Sequence, residues 1–145
     1  MLPIIHSALT NPDKKVSISL LFAARSPEEL YFKDELDQLS TTFSKQFRVV
    51  YTVDAVQTSS SAASDWKGHV GYVDEKMLKG LMPAPKATIE GASTQSSERS
   101  IVLICGPESM VKHVAGTRGL SGQEPIRGVM GTMGYQKDQV FRFPN

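Results

Sequence analysis

The chain has 145 residues, 40% of them hydrophobic and 21% charged, with a formal net charge of +1. That length and composition describe one ordinary globular domain with room for a sizeable core. The near-neutral balance gives no electrostatic reason to expect nucleic acid or an anionic membrane as partner. A single cysteine excludes an internal disulfide.

In chain order, the start Met1-Leu2-Pro3-Ile4-Ile5-His6 has no basic segment before an apolar run, so it does not read as a signal peptide. Met1–Leu9 reads as a helix with Leu2, Ile5, Ala8 and Leu9 along one face, ended by Asn11-Pro12-Asp13. Val16–Phe22 follows as a buried strand rich in Val, Ile and Leu. Ser26-Pro27-Glu28-Glu29 starts the next helix with a serine cap, a proline at the first helical position and early acids. Leu30, Phe32 (or Lys33), Leu36 and Leu39 carry its apolar side to about Phe43. Phe47–Val53 is the second strand, with Asp54 at its end. Residues 57–65, mostly Ser, Ala and Thr, read as a flexible surface loop. Trp66–Val73 returns to order, and Asp74 caps a short helix through Leu81 that Pro83-Ala84-Pro85 stops. Residues 86–99 form a second polar, low-complexity insertion. A strand over Ser100–Ile104 then leads into a helix from Pro107 to about Ala115 and a glycine-rich connection over 116–122. Pro125–Met133 reads as a last helix ended by Gly134, and Val140–Phe143 as a final short strand. The longest apolar runs, such as Ile101–Cys105, are far too short to cross a bilayer.

Strands alternating with helices imply an α/β fold over residues 1–145: a doubly wound, mainly parallel sheet with helices on both faces. The most telling block is Ile101-Val102-Leu103-Ile104-Cys105-Gly106-Pro107-Glu108-Ser109-Met110, an apolar strand that breaks at a thiol, a glycine and a proline before a helix. In open α/β sheets ligands bind at the carboxyl ends of strands. A small residue there lets a flat ring approach the backbone, and a helix N-terminus favours an anion.

Together with Leu21-Phe22-Ala23-Ala24-Arg25-Ser26 and Tyr51-Thr52-Val53-Asp54, this block resembles the nicotinamide-binding half of the cytochrome b5 reductase and ferredoxin–NADP reductase family. The resemblance implies three strand ends, marked by Ala24, Asp54 and Gly106, that converge on one cleft for a reduced pyridine dinucleotide. It places the Cys105 thiol beside the nicotinamide ring, near the hydride path to a flavin, in a steering and packing role. By itself the residue reads equally as a buried small hydrophobe at a strand end. Gly106 would lie under the ring, with Pro107 and Met110 lining the same pocket, although Met110 also reads as plain helix packing. Asp54 would accept hydrogen bonds from the adenosine ribose and repel a 2′-phosphate, favouring NADH over NADPH; the bland alternative is an acidic turn residue. Arg25 and Ser26 resemble adenosine-side contacts, with Arg25 either on a phosphate or adenine or simply solvated. Gly71 would permit close approach of adenine, with Tyr72 or Val73 as a wall, while Trp66 reads as a core anchor. Phe143 resembles the aromatic residue at the flavin–nicotinamide junction. His6, His69 and His113 are isolated, and no Cys/His set has metal-ligand spacing.

The implied reaction passes hydride from NADH to FAD and then single electrons to a haem protein such as cytochrome c or b5. FAD would be held by a flavin domain of the same protein, because this chain lacks the Arg-x-Tyr-Thr/Ser pattern. The family's domain opens with a strand and a glycine-rich turn running into a helix like Met1–Leu9. The chain is therefore expected to begin just after that turn, to lack its first strand, and to be inactive alone. Residues 113–131 are similar to the fungal mitochondrial cytochrome c import factor branch, which implies a mitochondrial location, otherwise a cytoplasmic one. The alternative function is an assembly or interaction factor for cytochrome c maturation with a decayed nucleotide site.

Overall fold

A computed structural model of the chain describes residues 1–12, 16–56, 66–85, 100–117, 119 and 124–144. The insertions expected at 57–65 and 86–99 lie outside the described residues, as do Arg118 and residues 120–123 of the glycine-rich connection. The chain divides into two compact units, Met1–Val73 and Asp74–Asn145.

In the first unit the helix α1 (Leu2–Thr10) precedes the strand β1 (Ile18–Ala24), the helix α2 (Lys33–Thr42), the strand β2 (Phe47–Val53) and the two-residue strand β3 (His69–Val70). The strands form one parallel sheet in the order β1-β2-β3. The register sets Ile18 beside Phe47, Leu20 beside Val49 and Phe22 beside Tyr51. Side chains alternate across a strand, so these six share a face. Against that face pack Ile5 and Leu9 of α1 and Leu36 and Leu39 of α2, making the unit's core. Fully burying a Leu, Ile or Phe side chain is worth about 1.5–3 kcal/mol, so this cluster outweighs the exposed hydrogen bonds that decorate α2.

Two expectations need correction in this unit. The β1 run was expected to be buried, yet all seven of its residues are half-buried; β1 stands at the end of the sheet order and has a strand neighbour on one side within that sheet. The helix expected from Ser26 to Phe43 is broken. Pro27–Glu29 form a single 3-10 turn, and Ser26 makes no side-chain cap. Leu30 then leaves helical geometry at φ −84°, ψ 62° and buries its side chain to 5% exposure. Its neighbours Tyr31 and Phe32 are turned outward, so Phe32 does not belong to the apolar side. Burying Leu30 displaces continued helix.

A polar clamp ties α2 to β2. The Tyr51 hydroxyl donates to Asp37 Oδ1 at 2.7 Å, and Lys33 Nζ meets Asp37 Oδ2 at 2.5 Å. The same ammonium stands 5.1 Å from the Tyr51 ring centroid, a cation–π distance. Burial, and then the hydrogen bond to the Asp37 carboxylate, hold the Tyr51 hydroxyl well above its ordinary ionisation range.

The second unit contains the helix α3 (Glu75–Leu81), the strand β4 (Val102–Ile104), the helices α4 (Glu108–Ala115) and α5 (Gly128–Thr132) and the strand β5 (Val140–Arg142). The cap at α3 is as expected: Asp74 Oδ1 accepts from Met77 N at 2.8 Å. The strands β4 and β5 are parallel, pairing Val102 with Val140, Leu103 with Phe141 and Ile104 with Arg142. Val102, Ile104, Val140 and Arg142 form a buried face, while Ile101 and Phe141 on the other are 58% and 44% exposed. The last helix begins at Gly128, not Pro125. Gly128 has φ +61°, and a Cβ there would run into the His113 carbonyl, so the 125–127 segment meets α5 at a turn that only glycine adopts readily. Parallel strands with interleaved helices are the α/β class expected; among the described residues they form a three-stranded and a two-stranded sheet.

Candidate functional site

In both units several of the sequence-predicted residues lie just past the carboxyl ends of the strands. In the first unit the ladder runs past the regular strands. Asp54 N donates to the Ala24 carbonyl at 3.0 Å, Ala55 N to Arg25 O at 3.2 Å and Gly71 N to Val53 O at 2.8 Å. The Thr52 hydroxyl, on a buried side chain, donates to Gly71 O at 2.8 Å. Four predicted residues, Ala24, Arg25, Asp54 and Gly71, are thereby fixed on one rim by main-chain bonds. Arg25 and Asp54 are exposed and Ala24 is half-buried. Ser26 continues from the rim in extended backbone.

Gly71 has φ +114°, and none of the described residues comes within 4 Å of the position its Cβ would take, so among them a flat group can reach the backbone there. Of the two wall residues, Tyr72 is 72% exposed and Val73 is 6% exposed. Val73 therefore packs into the interior, while Tyr72 stands exposed. Trp66 is not a core anchor: it is half-exposed, donates Nε1–H to His69 O at 3.1 Å and folds its ring over Gly68.

In the second unit Cys105 is exposed, so the buried-hydrophobe reading of this residue does not hold. Phe143 N donates to the Ile104 carbonyl at 2.9 Å, one step beyond the β4–β5 register, and this sets Phe143 beside Cys105. The Phe143 ring meets Phe141 edge-on, with centroids 5.0 Å apart, a favourable aromatic arrangement. Pro107 occupies the cap position of α4 at φ −54°, ψ 147°. Met110, in the first turn of α4, folds its thioether back on Gly106: a Cβ there would collide with Met110 Cε and lie 3.1 Å from Sδ. The absent side chain of Gly106 thus leaves a notch, and the end of the Met110 side chain occupies it.

Sequence reasoning missed Arg142. Its side chain is 6% exposed, and Nη1 donates to Ala115 O, Gly116 O and Thr117 O at 3.1, 3.3 and 2.9 Å. Nη2 donates to Glu124 O at 3.1 Å. One guanidinium therefore joins the C-terminal end of α4, the chain at Glu124 and the strand that carries Phe143. The available signal was its phase, two residues from the apolar Val140. A separate hollow of about 440 Å³, lined by Ile126, Gly131, Gly134, Tyr135 and Lys137 among others, contains none of the predicted residues. Among the described residues no cluster of His, Cys, Asp and Glu has the make-up of a metal site, and no helix is long and apolar enough to cross a membrane.

Comparison with known proteins supplies the lineage. The family model described as Oxidoreductase NAD-binding domain matches residues 1–116. The chain is 32% identical over 145 residues to an NADH-cytochrome b5 reductase-like protein of Arabidopsis thaliana, covering 99% of this chain and 38% of that protein. It is 31% identical over 144 residues to NADH-cytochrome b5 reductase 2 of the fungus Coccidioides immitis, covering 99% of this chain and 39% of the relative. Two solved structures share the fold. The cytochrome b5 reductase domain of Ulva prolifera nitrate reductase aligns with a TM-score of 0.67 at 20% identity, over 97% of this chain and 42% of that one. The CS-b5R domains of human Ncb5or, in the NAD+ form, align with a TM-score of 0.65 at 17% identity, over 99% of this chain and 33% of that one. The chain thus spans well under half the length of these relatives. With parallel strands whose ends carry these two rims, and a family match running from the first residue through α4, the chain belongs to the oxidoreductase NAD-binding domain family.

Proposed function

We propose that this chain is the nicotinamide-nucleotide-binding part of a flavin-dependent NADH oxidoreductase that delivers electrons to a haem protein such as cytochrome b5 or cytochrome c. The observation that carries this reading is the construction of the rims. Main-chain bonds hold Asp54, Arg25 and Gly71 together at the ends of β1 and β2, and Phe143 stands beside an exposed Cys105 at the ends of β4 and β5. The first rim suits the adenosine half of a dinucleotide. The Asp54 carboxylate accepts from ribose hydroxyls, Tyr72 offers a stacking face beside the open Gly71, and Arg25 offers a cation to phosphate. Asp54 repels a 2′-phosphate, so NADH is the preferred nucleotide.

The second rim suits the nicotinamide half. Cys105 and Phe143 flank the ring, and Gly106 lets it approach the backbone. FAD, when bound by the rest of a longer protein, supplies the hydride acceptor and the one-electron chemistry; this chain's residues bind and orient the nicotinamide, and Phe143 covers the junction. The haem-protein acceptor, suggested by the relatives' names, and a mitochondrial location, suggested by the fungal resemblance alone, belong to the same reading.

The test is a titration of the chain with NADH, NADPH and ADP-ribose, followed by calorimetry or by amide chemical shifts. The reading expects NADH and ADP-ribose to perturb residues at the ends of β1 and β2, with NADPH weaker. In the longer protein, a yellow flavin spectrum should bleach on adding NADH. No binding of any nucleotide, and no bleaching, would favour the assembly-factor reading with a decayed site.

A further inference from the structure

Gly106 is not among the glycines with positive φ, so its backbone is one that any residue adopts. What glycine supplies there is space, and the space is taken: the end of the Met110 side chain lies where a Cβ would be, with Sδ 3.1 Å from that position. Met110 reaches it from the first turn of α4, four residues along the chain. A methionine side chain has three rotatable bonds and no branching, so it fills irregular gaps and leaves them cheaply. The filled notch adjoins Cys105, which is exposed, and β4, whose last carbonyl is bonded to Phe143.

We propose that Met110 is a self-displacing cover for the nicotinamide position. In the free protein its thioether methyl shields the Gly106 backbone, and it swings away when the ring arrives. The cover makes the nicotinamide half of the dinucleotide compete with a residue of the chain itself. At the adenosine half no described residue fills the Gly71 opening. This inference rests on the dinucleotide reading and assigns one residue a role in ring selection. An equilibrium that lies mostly towards the covered state weakens apparent affinity in proportion to the uncovered fraction.

The experiment uses the full chain, with its six methionines labelled at the methyl carbon with 13C, and Met110→Leu serves to assign the Met110 signal. NADH and ADP-ribose, which lacks the nicotinamide ring, are the two probes. The expected result is a shift of the Met110 methyl signal with NADH and none with ADP-ribose. In parallel, Met110→Ala should bind NADH about 3- to 10-fold more tightly while leaving ADP-ribose affinity unchanged. If ADP-ribose binds but the Met110 methyl ignores NADH, or responds equally to both probes, the cover is overturned and the dinucleotide reading stands. The same holds if Met110→Ala leaves NADH affinity as it was. If neither probe moves any signal, the dinucleotide reading fails and the cover falls with it.

Discussion

Arg142 takes a permanent cation into the interior of the second unit, where four carbonyl oxygens receive it. Three of them lie at the C-terminal end of α4, the negative end of the helix dipole, so the charge is offset there, and one of the three, Ala115 O, also accepts from Arg127 N at 3.0 Å. The neighbouring polarity is inverted: Phe141 faces out at 44% exposure while Arg142 faces in at 6%. Local hydrophobicity predicts the opposite, so the one signal in the sequence was the residue's phase with Val140, and the need of the α4 terminus for a donor explains its burial. Arg142→Leu removes that donor from four carbonyls, of which Ala115 O keeps its bond from Arg127 N, and urea denaturation should show a loss of about 3 kcal/mol. A loss below about 0.5 kcal/mol would mean that water replaces the guanidinium freely. The place of Asp54, by contrast, was legible, since the apolar run before it ends where β2 ends. Its exposed position beside Ala24 and Arg25 leads to a second prediction. Asp54→Ala should raise NADPH affinity relative to NADH by about tenfold, worth about 1.4 kcal/mol of removed repulsion and lost ribose bonding. An unchanged ratio in paired titrations would take Asp54 out of the site.

Elements were read best where one local signal met no tertiary competitor. β2 runs over Phe47–Val53 as expected, because a β-branched and aromatic run between turns leaves little choice. The α3 start was legible for a similar reason: Asp74 has the extended backbone of a cap (φ −121°, ψ 172°) and accepts from Met77 N. Asp74→Ala should cost about 1 kcal/mol of stability, read as a lower denaturant midpoint with an unchanged slope. Asp74→Asn should restore most of it, and equal losses in both variants would point to charge in place of capping. The serine–proline–acid start at Ser26 carried the same local signal and failed. There the chain closes a single 3-10 turn over Pro27–Glu29 and leaves helical geometry at Leu30, whose side chain is buried, so the local start signal did not decide the matter. The α5 boundary failed in the same way, through the close approach of Gly128 to the His113 carbonyl, a contact between positions fifteen residues apart that no local pattern encodes.

At the scale of the whole molecule, the alternation of strand and helix made the parallel α/β class legible, while the division into two compact units rests on contacts between distant residues that periodicity does not report. Each unit contains one tyrosine whose hydroxyl is held protonated by its surroundings. Tyr51 is shifted upward by burial and by Asp37, and Tyr135, which donates to Pro83 O at 2.5 Å, is shifted upward by burial. In both, ionisation is harder in the folded chain than at the ordinary value of 10.0. Below that pH the hydroxyls are protonated folded or unfolded, and their contribution to stability is fully present. Above it the unfolded chain releases protons that the folded chain retains, so stability falls as pH rises. Each tyrosine contributes a slope of at most about 1.4 kcal/mol per pH unit. Tyr51→Phe should therefore have two effects. At pH 7 it should destabilise by about 1 kcal/mol, through the lost bond to Asp37, and that difference from the parent chain should shrink between pH 10 and 11 as the parent loses its own advantage. Denaturation midpoints at pH 7, 9 and 10.5 for the two proteins cancel the titrations they share. A difference that stays constant across that range would show that the Tyr51 hydroxyl ionises as easily folded as unfolded, and that Asp37 and burial do not hold its proton.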